Sequence, residues 1–199
     1  MHTIPPNWRD NLAYHFSQWG TSLLSPDTLN KWAASRPEAS FYDLWDDIID
    51  PTWIPHLAYA GGTTKKQLIL ASCGVARLVL PLLQPEANYP KLVVEEIEAW
   101  IQDHPYPSTT VDREQVRRDT HLAPYPYATL NSLLKNAYLN KDKLITDDIY
   151  AAASVAYWAI RSGIESQLIC ATQRKHLIFE RPPRPKGLTI WQRIAIESV

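Results

Sequence analysis

The chain has 199 residues, 45% of them hydrophobic, and a formal net charge of -1. That length suffices for one sizeable core or at most two small domains, and one compact unit is expected. The near-neutral balance argues against broad nucleic-acid binding, which draws on a surplus of Lys and Arg to displace counterions.

Sixteen prolines and only six glycines suggest helices separated by proline-stiffened corners. The N-terminal MHTIPPNWRDN has no basic region followed by an apolar stretch, so no secretory signal is expected and the cytoplasm is the expected compartment. Pro5 and Pro6 open a first helix in which Trp8, Leu12, Phe16 and Trp19 recur at helical spacing. Ser25, Pro26 and Asp27 start a second, with Leu29, Trp32 and Ala33, stopped before Pro37. Ser40 can cap FYDLWDDIID. Pro51 then begins TWIPHLAYA, where Trp53, Leu57 and Ala60 share a face.

Residues 63–83 read TTKKQLILASCGVARLVLPLL. A spanning helix needs about 20 mostly apolar residues, and this run is shorter and carries Arg77 near its middle, so no membrane span is expected. Thr63 or Thr64 can cap a helix whose first turn, Lys65, Lys66 and Gln67, faces solvent. Beyond it Leu68, Leu70, Ala71, Val75, Leu78, Val79 and Leu82 cover more than half of the helical surface, the pattern of a helix buried on most sides. Ala71, Ser72, Gly74 and Ala76 would let neighbours approach closely, Pro81 weakens the last turn, and Arg77 needs a carboxylate, a carbonyl or a route to solvent.

In NYPKLVVEEIEAWIQDH, Leu92, Val93, Ile97 and Trp100 are expected inward and Glu95, Glu96 and Glu98 outward. HPYPSTTVDREQ reads as a loop or interface segment, and 111–121 as a short charged helix. YATLNSLLKNAYLN follows as a helix through Leu130, Leu133, Leu134 and Ala137. Thr146, Asp147 and Asp148 start an amphipathic helix ended by Gly163, its acids at the positive end of the dipole. IESQLICATQRKHLIFE is a further helix, RPPRPKG an extended basic linker, and LTIWQRIAIESV a tail that docks or reaches a partner. The fold expected is all-α, a compact multi-helix bundle around a central buried helix at about 64–83, with one helical domain over 1–180 and a basic proline-rich linker and tail over 181–199.

Catalytic, cofactor and metal signatures are not found. Cys73 and Cys170 lie far apart in apolar segments with no CxxC, the reading being buried free thiols. The six histidines are scattered, with no HExxH and no nucleophile beside them; His56 reads as a core or boundary residue. Asp43, Asp46, Asp47 and Asp50 would share one helix face, a patch that favours an approaching basic partner. Tyr106, Tyr125 and Tyr127, among prolines, and Trp191 in the tail are of the type that anchors interfaces. Residues 1–104 carry 7 Lys/Arg against 12 Asp/Glu, a net of -5, and residues 105–199 carry 13 against 9, a net of +4. Arg113, Arg117, Arg118, Arg174, Lys175, Arg181, Arg184 and Lys186 could form a stripe touching phosphates, but aromatic stacking partners are few there.

Taken together, YDLWDDIIDPTWIPHLAYAGG, KKQLILASCGVARLVLPLL, YPKLVVEEIEAWIQ and DDIYAAASVAYWAIRSG resemble a group of bacterial all-helical immunity proteins of toxin–antitoxin-like conflict systems. The likeness rests on Asp50 and Trp53, on Cys73, Ala76, Arg77, Leu80 and Pro81, and on Pro90, Ile97, Glu98 and Trp100, within roughly residues 40–160. It implies a non-enzymatic protein that binds and occludes a toxin or effector, with Arg77 and Trp100 as framework residues and no catalytic residue or cofactor. The alternative expectation is an accessory or adaptor subunit of a larger complex, contacting nucleic acid through the basic C-terminal half.

Overall fold

The computed structural model describes residues 3–17, 26–83, 88–103, 118, 123–138 and 146–179. Among these lie nine α-helices: α1 (Trp8–Ser17), α2 (Pro26–Ala34), α3 (Phe41–Asp47), α4 (Ile54–Ala60), α5 (Lys65–Val79), α6 (Asn88–Asp103), α7 (Pro124–Tyr138), α8 (Thr146–Arg161) and α9 (Ser166–His176). They pack on one another as an all-α bundle. No described helix is long and apolar enough to cross a membrane. The linker and tail, 181–199, and most of the charged segment 111–121 lie outside the described residues.

Side-chain caps fix where α3 and α5 begin. Ser40 Oγ accepts from the Asp43 backbone N–H while the Asp43 carboxylate accepts from the Ser40 N–H at 2.9 Å, a reciprocal capping box at the start of α3. Thr64 and Gln67 do the same for α5, with the Thr64 N–H donating to Gln67 Oε1 at 3.0 Å. The other end of α5 obeys Pro81: the α-helix stops at Val79 and the chain tightens into a 3-10 turn over Leu80–Leu82.

α5 is the axis. Ile69, Cys73, Val75, Ala76 and Val79 join a core built with α6, α7 and α8, whereas Ala71 belongs to a second core with α1 to α4. Leu68 contributes to a third, smaller cluster with Ile149 and Ala152 of α8. A helix that feeds apolar side chains to neighbours all round it has little wet face of its own, and α5 is exposed only at Lys66 in its first turn and where Arg77 emerges. There Arg77 Nε and Nη2 donate to Glu98 of α6 at 2.8 and 2.5 Å, a bidentate pair at the surface. Partial exposure limits such a pair to about 1 kcal/mol.

α9 crosses α5 where α5 is thinnest. A Cβ built on Gly74 would lie 2.9 Å from Thr172 Cγ2 and 3.0 Å from His176 Nε2. A side chain at this position would require the Thr172 and His176 side chains, or α9 itself, to shift. Cys170 and Leu177, on and just after the same helix, reach the second core, so α9 ties the two cores together. Both cysteines are free and buried, and burial raises both thiols, Cys170 to about 11.

α6 buries Val93 and Ile97 as its sequence suggested but turns Leu92 outward. Val93, Val94, Ile97 and Ile101 face the core and Leu92 is 56% exposed. The pairing of adjacent Val93 and Val94 with Ile101 two turns on sets the buried face, and Leu92 falls nearly opposite it.

Candidate protein-binding surface

α3 and α9 form a joint exposed face. Arg174 of α9 makes the joint: its Nη2 donates to the backbone carbonyls of Trp45 at 2.7 Å, Asp46 at 3.3 Å and Ile48 at 2.7 Å. These carbonyls lie at the C-terminal end of α3, where helix geometry leaves acceptors unpaired and the backbone dipole is negative. A guanidinium is well suited to this, and it places α9 beside α3 with no side-chain partner involved. The Cys170 thiol donates to the Ile49 carbonyl at 3.6 Å, a second tie at the same joint.

Between the two elements is a pocket of about 200 Å³ lined by Tyr42, Trp45, Asp46, Arg174, Leu177, Ile178 and Phe179. Phe41, Trp45 and Phe179 pack edge-on or stacked with ring centroids 5.0 to 5.8 Å apart, which stiffens its aromatic wall. Gly61 allows this packing, because a Cβ there would come within 2.6 Å of Phe41 Cζ and 2.9 Å of Phe179 Cε1. Two large apolar side chains are exposed here: Ile178, in the pocket lining, at 52%, and Ile49, just after α3, at 77%.

Of the aspartates expected to share one helix face, Asp43, Asp46 and Asp47 lie exposed in α3 at helical spacing, and Asp50 alone does not join them. Pro51 disfavours helical backbone at Asp50, and α3 ends at Asp47 with Ile48 already extended. Three of the carboxylates then serve local contacts. Asp43 is held in the capping box, Asp47 pairs with Arg36 at 2.7 Å, and Asp50 accepts from the Thr52 N–H and hydroxyl at 2.9 and 2.7 Å. Asp46 is exposed and lines the pocket. Asp43, Asp46 and Asp47 thus form an exposed acidic band along α3, with Asp50 beyond its end.

Of the expected aromatic anchors, Tyr125 is 38% exposed at the start of α7. Its ring stacks on Trp158 of α8 at 6.1 Å, with the Arg161 guanidinium 5.3 Å over it, forming a small surface cluster. Tyr127 instead packs against the main core and is a framework residue. The side chain of Trp100 and the whole of Tyr106 and Trp191 lie outside the described residues. Arg174 leaves the expected phosphate-binding stripe, since its guanidinium is turned to the α3 carbonyls.

Sequence reasoning missed one polar cluster. His15 Nε2 of α1 lies 2.9 Å from His56 Nδ1 of α4, and the Tyr59 ring sits 5.0 Å from His15. Both histidines are buried, and burial lowers them to about 4 and about 3. At neutral pH the two rings are uncharged, one donating to the other, and closed off from solvent they join helices rather than meet a ligand. Among the described residues no three His, Cys, Asp or Glu side chains gather as metal ligands. No protein-family model, curated protein or solved structure matches the chain.

Proposed function

We propose that the protein is a non-enzymatic binding module of the cytoplasm that occludes a toxin or effector protein through its α3–α9 face. One observation carries this reading: a stiff aromatic pocket whose lining includes the exposed Ile178 and Asp46, with the exposed Ile49 three residues on from Asp46. Exposed apolar side chains next to a preformed pocket, with charge at the rim, are the make-up of a protein interface. The acidic band would speed the encounter with a basic partner, and burial of the apolar residues would slow release. The likeness to immunity proteins supports the same reading.

The test uses the tagged full-length chain expressed in its native host. A protein recovered in stoichiometric amount should re-form the complex when both purified components are mixed. An Ile49→Asp, Ile178→Asp variant should lose that complex while keeping its helical circular dichroism. Recovery of the chain alone in gentle salt, or a complex indifferent to those two substitutions, overturns the proposal.

A further inference from the structure

α1 is held to the rest of the molecule by a different chemistry at each end. At its start Arg9 Nη1 donates to the Ala33 carbonyl at 3.0 Å and Nη2 to the Arg36 and Ala39 carbonyls at 2.9 and 2.6 Å, with the guanidinium 4.4 Å over the Trp8 ring. Farther along, Leu12 and His15 are buried while Ala13 and Tyr14 are exposed. The polar tie at that end is the 2.9 Å bond between His15 and His56.

The two ties answer acid differently. A guanidinium stays charged and a carbonyl neutral through the whole range in which histidine titrates, so nothing at the Arg9 end changes. Two imidazoles hold a hydrogen bond only while one nitrogen at the contact is bare. A first proton puts a charge in a site closed to water, and a second sets two N–H groups against each other across 2.9 Å. α1 packs on α4 and α2, and α4 packs also on α8. Tyr59 of α4 faces the pair, its ring 5.0 Å from His15; Arg9 and Asp10 lie more than a turn back in α1, Lys31 of α2 is exposed, and Asp148 of α8 lies against Lys65. None of these charges eases protonation: burial, and for His56 the charge that His15 would carry, make both rings resist it.

We infer that α1 is an acid-released latch: in mild acid residues 13–17 swing off α4 while Arg9 keeps the start of the helix in place, uncovering the α4 face that carries His56 and Tyr59. The release is local, because opening this half of α1 brings both rings to water without disturbing the core that α5 builds with α6, α7 and α8. For each ring that reaches water, opening is favoured about thirtyfold more at pH 5 than at pH 7.5, since an exposed histidine near 6.5 takes the proton that the folded site, at about 4 or about 3, refuses.

Amide hydrogen exchange of the unaltered full-length chain at pH 7.5 and pH 5, expressed as protection factors, tests this. Residues 13–17 should be less protected than the interiors of α7 and α8 at both pH values, and their protection should fall by about thirtyfold or more on going to pH 5. The Asn11 amide, bonded to the Asn7 carbonyl at 3.0 Å near the Arg9 tie, should keep its protection. In His15→Gln, which cannot titrate at that position, the fall over residues 13–17 should be about thirtyfold smaller. Protection of residues 13–17 equal to that of α7 and α8 would mean that α1 leaves only with the whole fold. Protection that is lower but the same at both pH values, or a fall unchanged in His15→Gln, would mean that the histidines do not govern its release. Any of these results overturns the inference, as does an Asn11 amide that loses protection in step with residues 13–17.

Discussion

His15 Nε2 and His56 Nδ1 stand 2.9 Å apart, a hydrogen bond between two buried imidazoles that joins α1 to α4. The pair makes stability depend on pH in a window where carboxylates do not yet titrate. In the folded chain burial holds His15 at about 4 and His56 at about 3, against 6.5 when exposed. Above pH 6.5 both states are neutral and the packing is fully effective. As pH falls below 6.5 the unfolded chain binds protons that the folded chain refuses, so stability declines toward pH 4. By pH 5 the loss should be about 1–2 kcal/mol per histidine. His176, lowered by burial beside α5, adds in the same direction. Urea unfolding at pH 7.5, 6 and 5 should show the decline, and a His15→Leu, His56→Leu variant should flatten most of it. Parallel decline in both proteins would assign the protons elsewhere.

The α5–α9 crossing makes a second prediction. Replacing a helical glycine with alanine ordinarily gains up to about 1 kcal/mol of helix propensity. At Gly74 the added methyl would meet Thr172 Cγ2 at 2.9 Å and His176 Nε2 at 3.0 Å. Gly74→Ala should therefore lower stability by about 1–3 kcal/mol. Thr172→Ser in the same chain removes the obstructing methyl and keeps the hydroxyl that donates to the Leu168 carbonyl at 2.8 Å, so it should restore part of the loss. A neutral or stabilising Gly74→Ala would mean that α9, or its Thr172 and His176 side chains, gives way at little cost.

Lys65 Nζ lies 3.2 Å from Asp148 Oδ1 between α5 and α8, with the aspartate side chain fully buried and the lysine nearly so. Removing one charge leaves the other in a low-dielectric site. Lys65→Met or Asp148→Asn alone should cost about 3–5 kcal/mol, and the double variant less than their sum. The coupling is read from a four-protein cycle of denaturant unfolding, and additivity would show that the two charges act independently.

The elements were legible where the cause was local. Ser40 and Thr64 announced α3 and α5 because a capping side chain acts within three residues, and α5 betrayed its central position by being apolar on nearly every side. Pro51 could also have excluded Asp50 from the α3 face, since the restriction proline places on its predecessor is a property of sequence. What sequence hid was tertiary. The His15–His56 contact joins residues 41 apart, and the acceptors of Arg174 are backbone carbonyls that every residue owns, so neither leaves a pattern to read. The pocket depends on the second of these, because it exists only where α9 is tied to the end of α3.

That tie gives the last prediction. Arg174 Nη2 satisfies carbonyls of Trp45, Asp46 and Ile48 that α3 itself cannot pair. Arg174→Met keeps much of the aliphatic stem and removes the donor, and it should cost about 2 kcal/mol. Arg174→Lys should recover less than half, because the ammonium ends one bond short of the Nη2 position. A mere loss of packing would treat the two variants in the reverse order, since methionine is the more apolar. Amide hydrogen exchange should separate the cases further: it should quicken across Leu44–Ile48 in Arg174→Met while α7 and α8 keep their protection. An Arg174→Met protein within about 0.5 kcal/mol of the unaltered chain, with unchanged exchange in α3, would show that the end of this helix holds without the guanidinium.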